Sequence, residues 1–173
     1  MALWGLNYLC TNMKHLILIR HAESAEKVTG QTDKDRELTT VGYHQAAAAG
    51  HFLKTQSTNI DVIFSSSAAR ATTTAQLISE QLKSNSDLVS FNDELYQASV
   101  GTLFEMLRNG DSYQNIAIVG HNPTLTYFTE FITGSKVDEM SPATVLMIKV
   151  DIGNWKELAK GTGVILDRFD PRS

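Results

Sequence analysis

Short uninterrupted apolar runs alternate along this chain with longer stretches in which apolar positions recur every three or four residues. Leu16-Ile17-Leu18-Ile19 is such a run, with two β-branched members, the pattern of a strand covered on both faces. It ends abruptly in Arg20-His21. A polar, charged loop follows from Ala25 to Glu37, containing Gly30 and Asp33-Lys34-Asp35-Arg36. A helix is expected next, capped by Thr39 or Thr40 and reaching about Thr55. Its alanine run favours helix, and Val41, Ala48 and Phe52, with Ala49 and Leu53, supply an apolar stripe. Asp61-Val62-Ile63-Phe64 predicts a second buried strand. Ser65-Ser66-Ser67 then offers N-caps for a helix carrying Ala68, Ala71, Ala75, Ile78 and Leu82, so Arg70 falls in its first turn.

Asp87 to Phe91 predicts a third strand, followed by Asn92-Asp93-Glu94-Leu95-Tyr96. Val100 to Asn109 reads as a short amphipathic helix closed by Gly110. Ile116-Ala117-Ile118-Val119 predicts the fourth strand, ending in Gly120-His121-Asn122-Pro123. Asn122 as N-cap and Pro123 at the first helical position form a sharp start for the helix with Leu125, Phe128, Phe131 and Ile132, which stops at Gly134. Ala143 to Val150 and Trp155 to Ala159, joined through Asp151-Ile152-Gly153-Asn154, resemble a hairpin at a sheet edge. The tail from Lys160 to Ser173 carries no pattern that assigns it. The alternation predicts one α/β domain, a three-layer α/β/α sandwich with a mostly parallel central sheet and an antiparallel edge.

The 173 residues suit one domain with a proper core, and 42% hydrophobic with 20% charged residues is ordinary for a globular protein. A net charge of −4 argues against a general nucleic-acid binder. One cysteine, Cys10, forbids an internal disulfide and favours a reducing compartment. Met1 to Asn12 carries no charge and lacks the basic start and cleavage site of a signal peptide. Residues 1–13 are therefore expected to be a leader or disordered extension, with the domain at 14–173. No apolar run reaches transmembrane length, so the chain is expected in the cytoplasm with no membrane partner.

Three strands end in a polar signature: Arg20-His21, Ser65 to Arg70, and His121-Asn122; a fourth segment ends at Glu94. Right-handed crossovers bring such ends to one sheet edge, where ligands of open α/β sheets bind. Two arginines, two histidines and helix N-termini aimed at one spot suit a dianionic phosphate group. One histidine could attack phosphorus in line while the other groups hold the equatorial oxygens. Glu94 is the candidate for proton work at the leaving group. Ser24, just past His21, and Asn122, beside His121, are further candidates for touching phosphate. His44 and His51 share a helix face, but no third ligand has suitable spacing, so they read as surface residues and no metal is expected. Neither a P-loop nor a Gly-rich dinucleotide loop is present, so no nucleotide cofactor is indicated.

These residues also carry a resemblance. Leu-Ile-Arg-His-Ala-Glu at 18–23 resembles the hallmark of the histidine phosphatase superfamily, also called phosphoglycerate mutase-like. Ser65-Ser66 with Arg70-Ala71 and Thr74-Ala75 is similar to its second motif, and Val119 to Pro123 to its third. Compactness, Asp35-Arg36 before Leu38-Thr39 and Gly42, and Asp93-Glu94-Leu95-Tyr96 are similar to the small SixA-type branch. The resemblance implies the phosphoglycerate mutase-like fold, His21 as the phosphorylated nucleophile, and a phosphate pocket of Arg20, Arg70 and His121. It places Glu94 where members often have a proton donor. It implies a metal-independent phosphohistidine phosphatase without a cofactor, acting on a phosphorylated protein such as a histidine phosphotransfer domain. The alternatives are a phosphatase for small phosphate esters and a phosphate- or phosphohistidine-binding module without turnover.

Overall fold

Leu16 to Ile19 are completely buried because strands flank them on both edges and helices cover both faces. The computed structural model describes residues 13–82 and 88–171. Within them β1 (Lys14–Arg20), α1 (Thr40–Thr55), β2 (Val62–Ser66), α2 (Ala69–Gln81) and β3 (Val89–Asn92) alternate as a parallel α/β succession. After these come α3 (Val100–Arg108), β4 (Asn115–Gly120), α4 (Thr124–Thr133), β5 (Val145–Val150) and β6 (Gly163–Phe169). The sheet order is β3-β2-β4-β1-β5-β6, with the first four strands parallel. β5 runs antiparallel to β1, and β6 antiparallel to β5.

Alternate residues of the central strands serve opposite faces. Ile17, Ile19, Ala117 and Val119 pack with Ala46, Ala49 and Leu53 of α1 and Ala71, Ala75 and Ile78 of α2. Leu16, Leu18, Ile116 and Ile118 pack with Leu103 and Leu107 of α3 and Leu125, Phe128 and Ile132 of α4. The domain is thus the expected three-layer sandwich.

Four local expectations are corrected. The partner of β5 is β6, drawn from the unassigned tail; Trp155–Glu157 is instead a 3₁₀ turn whose Trp155 is fully buried and donates Nε1–H to the Tyr113 carbonyl at 2.9 Å. An aromatic anchor in the core imitated a strand residue. Helix α1 buries Gly42, Gln45, Ala46, Ala49, Gly50 and Leu53, while Val41 and Ala48 face solvent. The stripe is rotated because α1 presses its first turn against the backbone of Glu23: a Cβ on Gly42 would lie 2.0 Å from the Glu23 carbonyl oxygen. Thr39 caps α1 as expected, accepting from the Gly42 N–H. The serines before α2 do not cap it, since Ala68 takes that place and the hydroxyls of Ser66 and Ser67 turn to other partners. Helix α4 begins one residue late, with Pro123 at the cap position, because the Asn122 amide is drawn to the Met140 carbonyl. Of the expected extension at 1–13, residues 1–12 lie outside the described residues, as does Asp87 at the expected start of the third strand.

Candidate active site

The parallel register of β1 and β4 pairs Arg20 with Gly120, so the next residue on each strand, His21 and His121, emerge side by side. The His21 N–H donates to the Gly120 carbonyl at 3.0 Å, and the two imidazole centroids are 5.0 Å apart. β2 is registered on the other side of β4, with Ser65 opposite Val119. Ser66 therefore reaches His121, its Oγ 2.8 Å from Nε2. Behind His21 the chain is pinned: the Ala22 N–H donates to Thr74 Oγ1 at 3.0 Å, and the Glu23 N–H to Gln45 Oε1 at 2.9 Å. The sequence thus converges on one edge, at the carboxyl ends of β1, β2 and β4.

A cavity of about 420 Å³ opens there, lined among others by Arg20, His21, Arg36, Arg70 and His121. Arg70 enters from the first turn of α2 with its side chain 7% exposed. Its guanidinium donates to both the carbonyl and the carboxylate of Asp33, at 2.7 and 3.0 Å. Arg36 donates from Nη1 to the other carboxylate oxygen of Asp33 at 3.0 Å and from Nη2 to Ser24 Oγ at 3.0 Å. The Tyr96 hydroxyl completes this group, donating to Asp33 Oδ2 at 2.9 Å. Arg20 is anchored from the opposite side by Nη1 to the Met140 carbonyl at 2.6 Å. Three guanidinium groups therefore surround the two imidazoles, against the carboxylates of Glu23 and Asp33.

The tautomer of His21 follows from its neighbour. Nδ1 lies 2.7 Å from the Ala22 carbonyl oxygen, which can only accept. Nδ1 therefore carries the proton and Nε2 the free electron pair. Burial lowers the His21 pKa to about 3 against the pull of the Ala22 carbonyl, with His121, Arg70 and Arg20 adding repulsion. Burial and then Arg70 lower His121 to about 4, partly opposed by Asp33. Both rings are neutral at pH 7, so Nε2 of His21 keeps its electron pair available without a base to expose it. Asp33 is held well below the usual carboxylate range, first by Arg36, then by Tyr96 and Arg70.

Of the residues singled out from sequence, Arg20, His21, Arg70 and His121 are brought together here, and Ser24 and Asn122 also line the cavity. The Asn122 amide is tied back, donating to the Met140 carbonyl at 2.9 Å and accepting from Thr126 Oγ1 at 3.3 Å. Glu94 is elsewhere: it is exposed and lines a separate groove with Phe64, Glu105, Met106 and Tyr113. The 3₁₀ turn Asp93–Leu95 points Glu94 to that groove and delivers Tyr96 to the cavity beside the two imidazoles. Sequence reasoning missed Asp33 and Arg36 as parts of the site, and carried Ser66 and Tyr96 only as members of motifs without a role. The only signal for Asp33 was its place in a long charged loop after the first strand, three residues before Arg36.

Two neighbouring imidazoles and three arginines line one cavity at the carboxyl edge of a mostly parallel sheet, a donor set suited to an oxyanion. The chain belongs to the histidine phosphatase superfamily (branch 1), whose family model matches residues 16–103. It is 26% identical over 164 residues to an uncharacterized protein of Mycobacterium tuberculosis, covering 89% of this chain and all of that one. It is 36% identical over 92 residues to the 2,3-bisphosphoglycerate-dependent phosphoglycerate mutase of Methylorubrum extorquens, a match spanning 51% of this chain and 42% of the mutase. Among solved structures, the protein histidine phosphatase SixA complexed with tungstate superposes with a TM-score of 0.78 at 20% identity, over 91% of this chain and 97% of that one. The mycobacterial glucosyl-3-phosphoglycerate phosphatase complexed with VO3 superposes with a TM-score of 0.66 at 14% identity, over 91% and 99% of the two chains. Among the described residues no helix is long and apolar enough to cross a membrane.

Proposed function

We propose that this protein is a phosphohistidine phosphatase that dephosphorylates a phosphorylated protein, such as a histidine phosphotransfer domain, in the cytoplasm. Nε2 of His21 attacks phosphorus in line; the new N–P bond forms on His21 as the donor's N–P bond breaks. Arg20, Arg70 and the neutral His121 hold the equatorial oxygens, with charge and position supplying the rate. Water then attacks phospho-His21, releasing inorganic phosphate and regenerating the ring. No metal or cofactor takes part.

The observation that carries the choice of donor is where the carboxylates lie. The two that line the cavity among the described residues are Glu23, which accepts from Thr39 Oγ1 at 2.7 Å, and Asp33, which is held ionised by Arg36, Tyr96 and Arg70. Glu94 faces another groove. An alkoxide leaving from a phosphate ester needs a proton from an acid at the breaking bond, whereas the donor imidazole leaves as a neutral ring once its other nitrogen carries a proton, and that nitrogen, basic near pH 6.5, takes one from solvent near neutral pH. A pocket with its carboxylates so committed fits an N-phosphorylated donor better than an alkyl ester.

The test is a phosphoryl-enzyme trap with a chelator present, offering wild type and His21→Ala a phosphorylated histidine-containing protein domain and an aryl phosphate separately. The reading expects an acid-labile phosphate on His21, absent from the variant, and faster transfer from the protein donor. Faster turnover of the small ester would make the protein a phosphomonoesterase. Phosphate binding without label or turnover of either donor would favour a binding module.

A further inference from the structure

The loop between β1 and α1 does more than cover the cavity. Its single helical turn, Asp33–Asp35, places one carboxylate against Arg36, Arg70 and Tyr96 at 3.0, 3.0 and 2.9 Å. Both acceptors of Asp33, side chain and carbonyl, are given to the same Arg70 guanidinium, which is otherwise nearly sealed from solvent. The Tyr96 ring, fixed by its hydroxyl on Asp33, meets the ring of His121 edge-on at 5.9 Å. The turn itself is fastened from outside, since Lys34 Nζ donates to Asp93 Oδ1 at 2.6 Å and Ser67 donates to the same carboxylate.

We propose that Asp33 is the positioning residue of the phosphate pocket, aiming the guanidinium groups of Arg36 and Arg70 at the phosphoryl oxygens and making Arg36 a third pocket arginine. The inference rests on the phosphatase reading for its part in turnover, but its part in oxyanion binding stands on the geometry alone. An arginine reads phosphate through a planar fork, so its orientation matters as much as its charge. With two of five N–H groups of Arg70 given to Asp33, the remaining donors have a defined direction. Three arginines left to repel one another would splay apart; a shared anion holds two of them together.

Two effects of Asp33 have opposite signs, which makes the proposal testable. Beside a cationic pocket an anion weakens oxyanion binding by simple Coulomb repulsion, so its removal should tighten binding if charge were its only role. If it positions the arginines, removal weakens binding. Orthovanadate affinity would be measured by calorimetry at fixed ionic strength for wild type, Asp33→Ala, Asp33→Asn, Arg70→Ala and the Asp33→Ala/Arg70→Ala pair. Thermal unfolding would accompany each, so that Asp33→Asn, similar in size and retaining an acceptor, answers if the alanine variant does not fold. The expected result is about tenfold or greater weakening in Asp33→Ala, a smaller loss in Asp33→Asn, and little further loss when Arg70 is already absent. Unchanged or tighter binding in folded Asp33 variants, or a wild type that binds no vanadate, would overturn the proposal. Turnover of an aryl phosphate gives the second readout: kcat should fall with kcat/KM, while an inactive wild type that still binds vanadate would defeat the phosphatase reading and leave this one to be judged on affinity.

Discussion

His21 and His121 stand 5.0 Å apart, ring centre to ring centre, because Arg20 and Gly120 before them are direct partners in the parallel register of β1 and β4. The sheet thus assigns the rings different work. His21 has its Nδ1 proton fixed on the Ala22 carbonyl and presents Nε2. His121 is braced by Ser66, and burial and Arg70 keep its ring neutral. His21→Ala should therefore form no phosphoenzyme at all. His121→Ala should still form it, roughly 10²–10³-fold more slowly, as for loss of one oriented donor to a developing charge. Rapid-quench single turnover separates the two; labelling of His121→Ala at the wild-type rate would remove His121 from the transition state.

The depressed pKa values make stability depend on pH. Folding lowers His21 to about 3 and His121 to about 4 from the ordinary imidazole value of 6.5. Between those values the unfolded chain binds more protons than the folded one, so stability is highest above pH 6.5 and is lost as pH falls toward 4. Each ring contributes up to about 1.4 kcal/mol per pH unit in that window. Asp33, whose pKa is also lowered, adds loss in the same direction below about pH 4. Urea unfolding at pH 7 and pH 5 should show the decline, and ring carbon shifts should report both histidines neutral at pH 5. Titration of either ring near 6.5 would contradict the burial that sets these values.

Much of this site was legible before any coordinates, for a physical reason. β1 and β4 are buried on both faces, so they appear as unbroken apolar runs, and the polar residues that stop them stand out at the sheet edge. β6 is an edge strand that exposes Val164 and Leu166, and its apolar run is only Val164-Ile165-Leu166 before Asp167-Arg168, too short to assign without its partner β5. Asp33 was hidden for the converse reason: a carboxylate in a charged loop looks solvated until the fold brings Arg70 to it from 37 residues away. Glu94 and Tyr96 are two positions apart, and only the 3₁₀ turn decides which of them faces the cavity of His21 and His121.

Gly42 ties α1 to the loop that follows His21. A β-carbon there would sit 2.0 Å from the Glu23 carbonyl oxygen, a backbone atom that cannot rotate aside. The helix preference gained in Gly42→Ala is at most about 1 kcal/mol, against about 1–3 kcal/mol for forcing atoms into a packed contact. The clash should win. The variant should melt about 2–8 °C lower and turn over more slowly, because Glu23 and Ser24 are displaced just beyond His21. A melting temperature equal to or above that of wild type would show that the helix can slide off this contact without cost.

Glu94 supplies the sharpest test of the donor. A general acid contributes roughly 10²–10⁴-fold to the step it serves, so its loss cannot pass unnoticed. Because Glu94 is exposed in a groove shared with Glu105 and Tyr113, away from the two imidazoles, Glu94→Gln should keep turnover of phosphohistidine and aryl phosphate within about twofold of wild type. Measuring kcat/KM for a phosphohistidine protein, an aryl phosphate and an alkyl phosphate in both proteins gives three independent comparisons. A loss confined to the alkyl ester would mean that Glu94 swings to the leaving group when the substrate demands a proton, and would move the protein toward the phosphomonoesterases. Values unchanged by Glu94→Gln for all three donors would mean that Glu94 protonates no leaving group, as its place in the separate groove implies.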